Sequence, residues 1–374
     1  MAIETERLRE RLRGLGFDVV RFARIDGAAP GAEALQAWLA AGRQADMDWI
    51  ERSLPRRRDP RQVVAGARSL VLLGVNYGPG APAAPDRPRW ARYALHDDYH
   101  DTIKAGLAAA GRVLEAEAGI GPDEHRYYVD TGPVLERSWA AAAGLGFTGK
   151  NAMLISPDYG NWLFLAAIVT TAELPPDRPL GRRREERPVG TLCGSCTRCI
   201  DVCPTAALVA PGVLDARRCI SYQTIENKGV IPRELRPAIG DLIYGCDLCA
   251  EVCPWNRFAQ AARSGLLRPR PEIAQLTLPE ILRLTPERFA ATFKGTAIKR
   301  VKLRGLLRNA CIVAANTNRT DCLDDLVALT AQAEPVVRAH AVWAVRRLGA
   351  GDRLQAQAEA ESDPVVREEY RTPV

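Results

Sequence analysis

At 374 residues, 47% of them hydrophobic, the chain can bury a substantial core and is long enough for two or three domains. A formal net charge of +6 fits a phosphate-bearing partner without requiring one. Four histidines are too few for chemistry that rests on several imidazole ligands.

The opening run MAIETERLRERLRGLGF alternates charged and apolar residues at helical spacing, and residues 1 to 15 read as a helix. It has no apolar signal core and no twin arginine, and no apolar run of about 18 residues follows. Neither export nor a membrane span is expected, and the location expected is cytoplasmic. Phe17 to Ile25 reads as a strand, Pro30 to Ile50 as helix interrupted at Gly42, and Arg68 to Gly78 as a buried strand. A Pro/Ala/Gly loop, 79 to 88, follows. From Asp101 to Glu117, the residues Ile103, Leu107, Ala110 and Leu114 mark one face of an amphipathic helix. Tyr127 to Val129 is a short strand that delivers Asp130, Thr131, Gly132 and Pro133 into a loop. Helix resumes over Glu136 to Ala143, then the turn GLGFTGKN, 144 to 151, leads to strands at Ala152 to Ile155 and Trp162 to Thr170. Such alternation predicts an α/β or α+β domain. The arginine-rich stretch 175 to 188 marks a boundary, and Arg182 to Arg184 form a basic patch diluted by Glu185 and Glu186. Beyond Pro269 the pattern is all-helical. Leu307 to Ala315, Leu323 to Thr330 and Pro335 to Leu348 have the lengths of stacked HEAT-like pairs, and the tail after Gly351 is polar and expected to be loose.

Eight of the ten cysteines lie between Cys193 and Cys253. The run CGSCTRCIDVCP places Cys193, Cys196, Cys199 and Cys203 in the C-x2-C-x2-C-x3-C-P spacing that wraps three thiolates around one iron–sulfur cubane and sends the fourth to a second. Cys246, Cys249 and Cys253 repeat the end of that pattern, and Cys219 supplies the missing ligand. The count closes at two four-iron, four-sulfur clusters: Cys193, Cys196, Cys199 and Cys253 on one, Cys203, Cys219, Cys246 and Cys249 on the other. Structural zinc explains two such Cys-Pro endings poorly. Cys311 and Cys322, among apolar helical residues, read as inert and buried.

With these cysteine groups, Tyr99 and His100, DTGPVLERSWA (130 to 140), GLGFTGKN, CISYQTIE (219 to 226), CPWNRF (253 to 258) and LLRNA (306 to 310), nearly the whole chain resembles the epoxyqueuosine reductases. The resemblance implies an α+β protein of four parts. They are an α/β cobalamin-binding catalytic domain over 1 to 178, a ferredoxin-like insert with both clusters over 179 to 262, a HEAT-like tRNA-binding region over 263 to 355, and a polar tail over 356 to 374. It implies a monomer that reduces epoxyqueuosine to queuosine at the wobble position of the tRNAs for Tyr, His, Asp and Asn, fed by an unidentified electron donor. Asp130 is the implied proton donor, a role that requires burial or a neighbouring anion to raise its pKa. Arg57, Tyr99, His100, Arg137, Lys150, Asn151 and Ser156, with Asp130, are the implied cobalamin pocket. The glycines of GLGFTGKN match neither a Rossmann nor a Walker A spacing; they suit backbone amides approaching cobalamin's amide side chains or phosphate, with a tight turn between helix and strand as the alternative.

Basic residues Lys299, Arg300, Lys302, Arg304 and Arg308, in an acid-free run from Lys294, are candidate phosphate contacts. Ser221, Tyr222 and Glu226 are candidates to face the modified nucleotide, Tyr222 by stacking, although it equally suits the wall of a cluster. Two alternatives stand beside this reading. A cobalamin-dependent reductive dehalogenase predicts a small organohalide substrate and often an exported precursor. A plain electron carrier leaves the large N-terminal domain without a purpose.

Overall fold

The computed structural model describes residues 4–78, 86–180 and 189–374. These fall into two compact units, neither continuous in sequence. The basic patch at Arg182 to Arg184 and most of the 79 to 88 loop lie outside the described residues.

One unit takes residues up to 80, 98 to 217 and 248 to 268. Its centre is a four-stranded sheet of β1 (Val19–Arg24), β2 (Ser69–Asn76), β3 (His125–Val129) and β4 (Leu163–Thr170), in the order β1-β2-β4-β3. Every neighbouring pair is antiparallel, so of the two sheet types expected the protein builds the α+β one. Strand β2 is buried along all eight residues, which is why SLVLLGVN carries no alternation: it is an inner strand covered on both faces. Gly74 lies so close to β1 that an added Cβ would stand 2.5 Å from Val19.

Helix α1 (Thr5–Arg13) precedes β1, and α2 (Tyr99–Ala118) packs on β3 and β4. Ile103, Leu107, Ala110 and Leu114 are fully buried, on the face their spacing predicts. Asp98 caps α2 by accepting the His100 backbone N–H at 3.1 Å, and Gly119, at φ +66°, closes it. Helix α3 (Glu136–Ala142) follows the loop after β3.

The other unit takes residues 81 to 97, 218 to 247 and 269 to 374. Its axis is α4 (Lys302–Asn316), which buries every residue from Gly305 to Ala315 and is therefore apolar nearly all round. Helix α4 packs on α6 (Pro335–Arg347), and α6 packs in turn on α5 (Leu323–Leu329) and α7 (Pro364–Arg371). The tail is not loose. Asp363 caps α7 through the Val365 and Val366 N–H groups, Val366 is fully buried, and Glu369 pairs with Arg236 at 2.6 Å and with Arg233. The polar composition that suggested looseness is an amphipathic helix with one buried face. No helix among the described residues is long and apolar enough to cross a membrane.

Candidate active site

Strand β3 ends by turning Asp130 into the left-handed region, at φ +57°, a conformation that aspartate tolerates better than most residues. The first turn of α2 meets it. Tyr99 donates its hydroxyl to Asp130 Oδ2 at 2.7 Å, and His100 Nε2 lies 3.3 Å from the same oxygen. His100 Nδ1 lies 2.7 Å from Asp98 Oδ1, so the imidazole bridges two carboxylates. The Tyr99 ring is held between His100 and Phe164 of β4, at centroid distances of 4.0 and 4.3 Å.

This arrangement reverses the expected electrostatics of Asp130. Burial by the surrounding protein raises its pKa, but the hydrogen bonds from His100 and Tyr99 and the charges of His100 and Arg137 outweigh that and bring it down to about 2. With 65% of the side chain open to solvent, water screens part of this pull without reversing it. His100 moves the other way. Burial opposes its charge, yet the contacts with Asp130 and Asp98 raise it to about 9. At neutral pH the proton of this pair therefore rests on His100 and Asp130 is a carboxylate.

Arg57 and Arg137 belong to the same neighbourhood: Asp130 feels the charge of Arg137, and Arg57 feels that of Asp130. Their guanidinium groups are anchored on Ser53 Oγ (2.8 Å) and the Val134 carbonyl (3.2 Å), and on the Ala152 carbonyl (3.1 Å). Lys150, Asn151 and Ser156 go elsewhere. Lys150 Nζ donates to the carbonyls of Gly194 (2.7 Å) and Cys196 (3.0 Å), and buried Asn151 donates to Asn161 Oδ1 (2.9 Å) and the Cys249 carbonyl (3.3 Å). Ser156 is buried in a turn closed by backbone bonds to Gly160. The GLGFTGKN turn thus holds the cysteine loops in place, a packing role that spacing alone does not reveal.

Among the described residues no cysteine is in a disulfide. Cys193 and Cys253 share one apolar cluster with Phe147, Ile155, Leu192 and Trp255. Cys193 feels the charges of Cys253 and Cys196, and Cys199 those of Cys193 and Cys253, so these four side chains lie together. Among the described residues no group of three or more His, Cys, Asp or Glu converges as ligands of one metal ion do. Cys203 and Cys249 belong to the sheet-bearing unit, Cys219 and Cys246 to the helical one.

In the helical unit Lys299, Arg300, Lys302 and Arg304 are exposed. Arg300 pairs with Glu226, its Nη2 donating at 2.8 Å, so two candidate tRNA contacts are engaged with each other. Ser221 and Tyr222 are half-buried on the helix Ile220–Ile225. Arg308 corrects the sequence-based expectation. It is 0% exposed and donates to the carbonyls of Gln223, Asn227 and Gly229, bracing a loop where a phosphate contact was expected. Its basic neighbours hid this, because a buried arginine and a solvated one read alike in sequence. Two residues were missed altogether. Asp98 is visible only as a cap beside Tyr99 and His100, and Glu136 sits inside the DTGPVLERSWA run. The carboxyl of Glu136 is raised to about 8, by burial first and then by the charge of Asp130.

Residues 192–256 match the family described as a 4Fe-4S double cluster binding domain, and residues 57–131 the family described as epoxyqueuosine reductase QueG, DUF1730. The chain is 38% identical to the epoxyqueuosine reductase of Pseudomonas aeruginosa over 344 residues, covering 90% of this chain and 92% of that one. It is 41% identical to that of Gloeobacter violaceus over 322 residues, with 83% and 95% covered. Among solved structures, an epoxyqueuosine reductase with an epoxyqueuosine-modified tRNA-Tyr stem loop superposes with a TM-score of 0.88 at 30% identity, over 98% of this chain and 96% of that one. The Bacillus subtilis enzyme with its catalytic aspartate loop swung out of the active site gives 0.86 at 29% identity, over 98% and 97%.

Proposed function

The chain belongs to the epoxyqueuosine reductase family, and from that premise we propose how its residues reduce epoxyqueuosine to queuosine in tRNA. The observation that carries the reading is the carboxylate of Asp130, joined to the proton-bearing His100 at the end of β3. The reaction takes up two electrons and two protons and releases the epoxide oxygen as water. The oxygen that leaves carbon develops negative charge and needs a proton at that moment. Asp130 delivers it, drawing on the proton held at His100, while Asp98 fixes the ring and keeps the imidazolium favourable. Tyr99 orients the carboxylate. In the Bacillus subtilis relative the catalytic aspartate loop swings out of the active site, and the loop that carries Asp130 is expected to do the same.

Two 4Fe–4S clusters fit the cysteines: Cys193, Cys196, Cys199 and Cys253 for one, Cys203, Cys219, Cys246 and Cys249 for the other, passing single electrons from an external donor. The closeness of Cys193, Cys196, Cys199 and Cys253 supports the first set. Cobalamin, when bound, supplies a strongly reduced cobalt centre able to open a strained ring. Arg57, Tyr99, His100 and Arg137, gathered around Asp130, fit its pocket, and Lys150 and Asn151 hold the neighbouring cysteine loop. The α4 to α7 stack is HEAT-like, and the exposed Lys299, Arg300, Lys302 and Arg304, at and just before the start of α4, are candidate contacts for tRNA phosphates. Tyr, His, Asp and Asn tRNAs, a monomeric state and the four-part division of the chain complete the reading.

The test is anaerobic, single-turnover conversion of an epoxyqueuosine-containing anticodon stem-loop by the parent and by Asp130→Asn. The parent yields queuosine, and the variant loses about 10²-fold or more in rate. Undiminished activity in the variant removes Asp130 as the acid.

A further inference from the structure

Turning an epoxide into an alkene requires two protons for the one oxygen released. The Asp130–His100 pair stores only one at neutral pH, because Asp130 is ionised while His100 is charged. The second proton needs another source, and Glu136 has the right construction. Its Oε1 is buried and has no hydrogen-bond partner among the described residues. The guanidinium groups of Arg57 and Arg137 near it donate to Ser53, Val134 and Ala152. A bare, buried, ionised oxygen is strongly disfavoured, so this carboxyl holds its proton.

We propose that Glu136 is the second proton store of the site, acting through Asp130. This rests on the reading of Asp130 given above. Both C–O bonds of the epoxide break, the carbons receive two electrons from the external reductant and form the double bond, and the oxygen takes one proton from His100 and one from Glu136, each by way of Asp130. It leaves as water. His100 ends neutral and Glu136 ionised, and both recover their protons from solvent.

The charged groups facing Glu136 are Asp130, which favours its neutral form, and Arg57 and Arg137, which oppose it. Burial outweighs them all. Once His100 has given up its proton, the cation that holds Asp130 low is gone, and the Asp130 carboxylate becomes a better acceptor for the proton on Glu136. His100 and Glu136 thus release their protons in sequence.

Two measurements decide this. Infrared spectra of the substrate-free protein should contain a protonated-carboxyl band at neutral pH that titrates near 8 and is absent from Glu136→Gln. Single-turnover conversion of the modified stem-loop should slow above about pH 8 in the parent. In Glu136→Gln it should fall about 10²-fold, with the alkaline limb moving toward the higher value of His100. Absence of the titrating band, or a variant with the parent's rate and pH profile, overturns the proposal. Should Glu136→Gln not fold, Glu136→Asp takes its place. A displaced alkaline limb then supports the proposal, and an unchanged one contradicts it. Full activity in Asp130→Asn would sink the reading of Asp130 while leaving the infrared titration of Glu136 intact, so the two failures are distinguishable.

Discussion

His100 is the residue whose state controls the rest. Its pKa is raised, so its contribution to stability is complete below the ordinary value near 6.5 and disappears as the pH rises through about 9. The stability difference between the parent and His100→Gln, followed by chemical denaturation, should be largest at mildly acid pH and close on the alkaline side. A difference that grows with pH contradicts the imidazolium–carboxylate pair. For Asp130 the sign is opposite: its contribution is complete above about 3.8 and is lost as the pH falls toward 2. The sequence shows Tyr99, His100 and Asp130 as residues worth naming, but not that they meet, because 30 residues separate the imidazole from the carboxylate. The direction of the Asp130 shift was illegible for the same reason. It depends on a cation brought in by α2, and isolated motifs carry no information about which charge faces which.

At the scale of elements, period and spacing predicted what was local. The buried face of α2, the inner strand β2 and the three helices from α4 to α6 lie where their apolar residues place them. Side chains that reach between elements were not legible. Arg308→Ala should lower stability by about 3 kcal/mol or more, since three carbonyl groups lose a charged donor, and should leave the salt dependence of tRNA binding unchanged. Alanine at Lys299, Lys302 or Arg304 should instead leave melting nearly unchanged and reduce the slope of log binding constant against log salt by about 0.8 each. Helix α7 supplies a third case. Glu369→Ala leaves Arg236 unpaired at 0% exposure and should cost about 3–5 kcal/mol, read as a lowered melting temperature. A small effect there means that the tail contributes little to the unit.

The whole molecule interleaves its two units along the chain, so no boundary in composition marks them. The cysteine pattern announces the chemistry of electron transfer from spacing alone, because a cubane dictates local ligand steps. What the electrons reach is carried by the family likeness and by the carboxylate–imidazolium site. The most direct measurement is anaerobic conversion of the epoxyqueuosine stem-loop by the parent, reduced through its iron–sulfur clusters, with and without added cobalamin after the cofactor has been removed. Queuosine should form only when cobalamin is restored. Complete conversion by protein proven free of cobalamin would contradict the account.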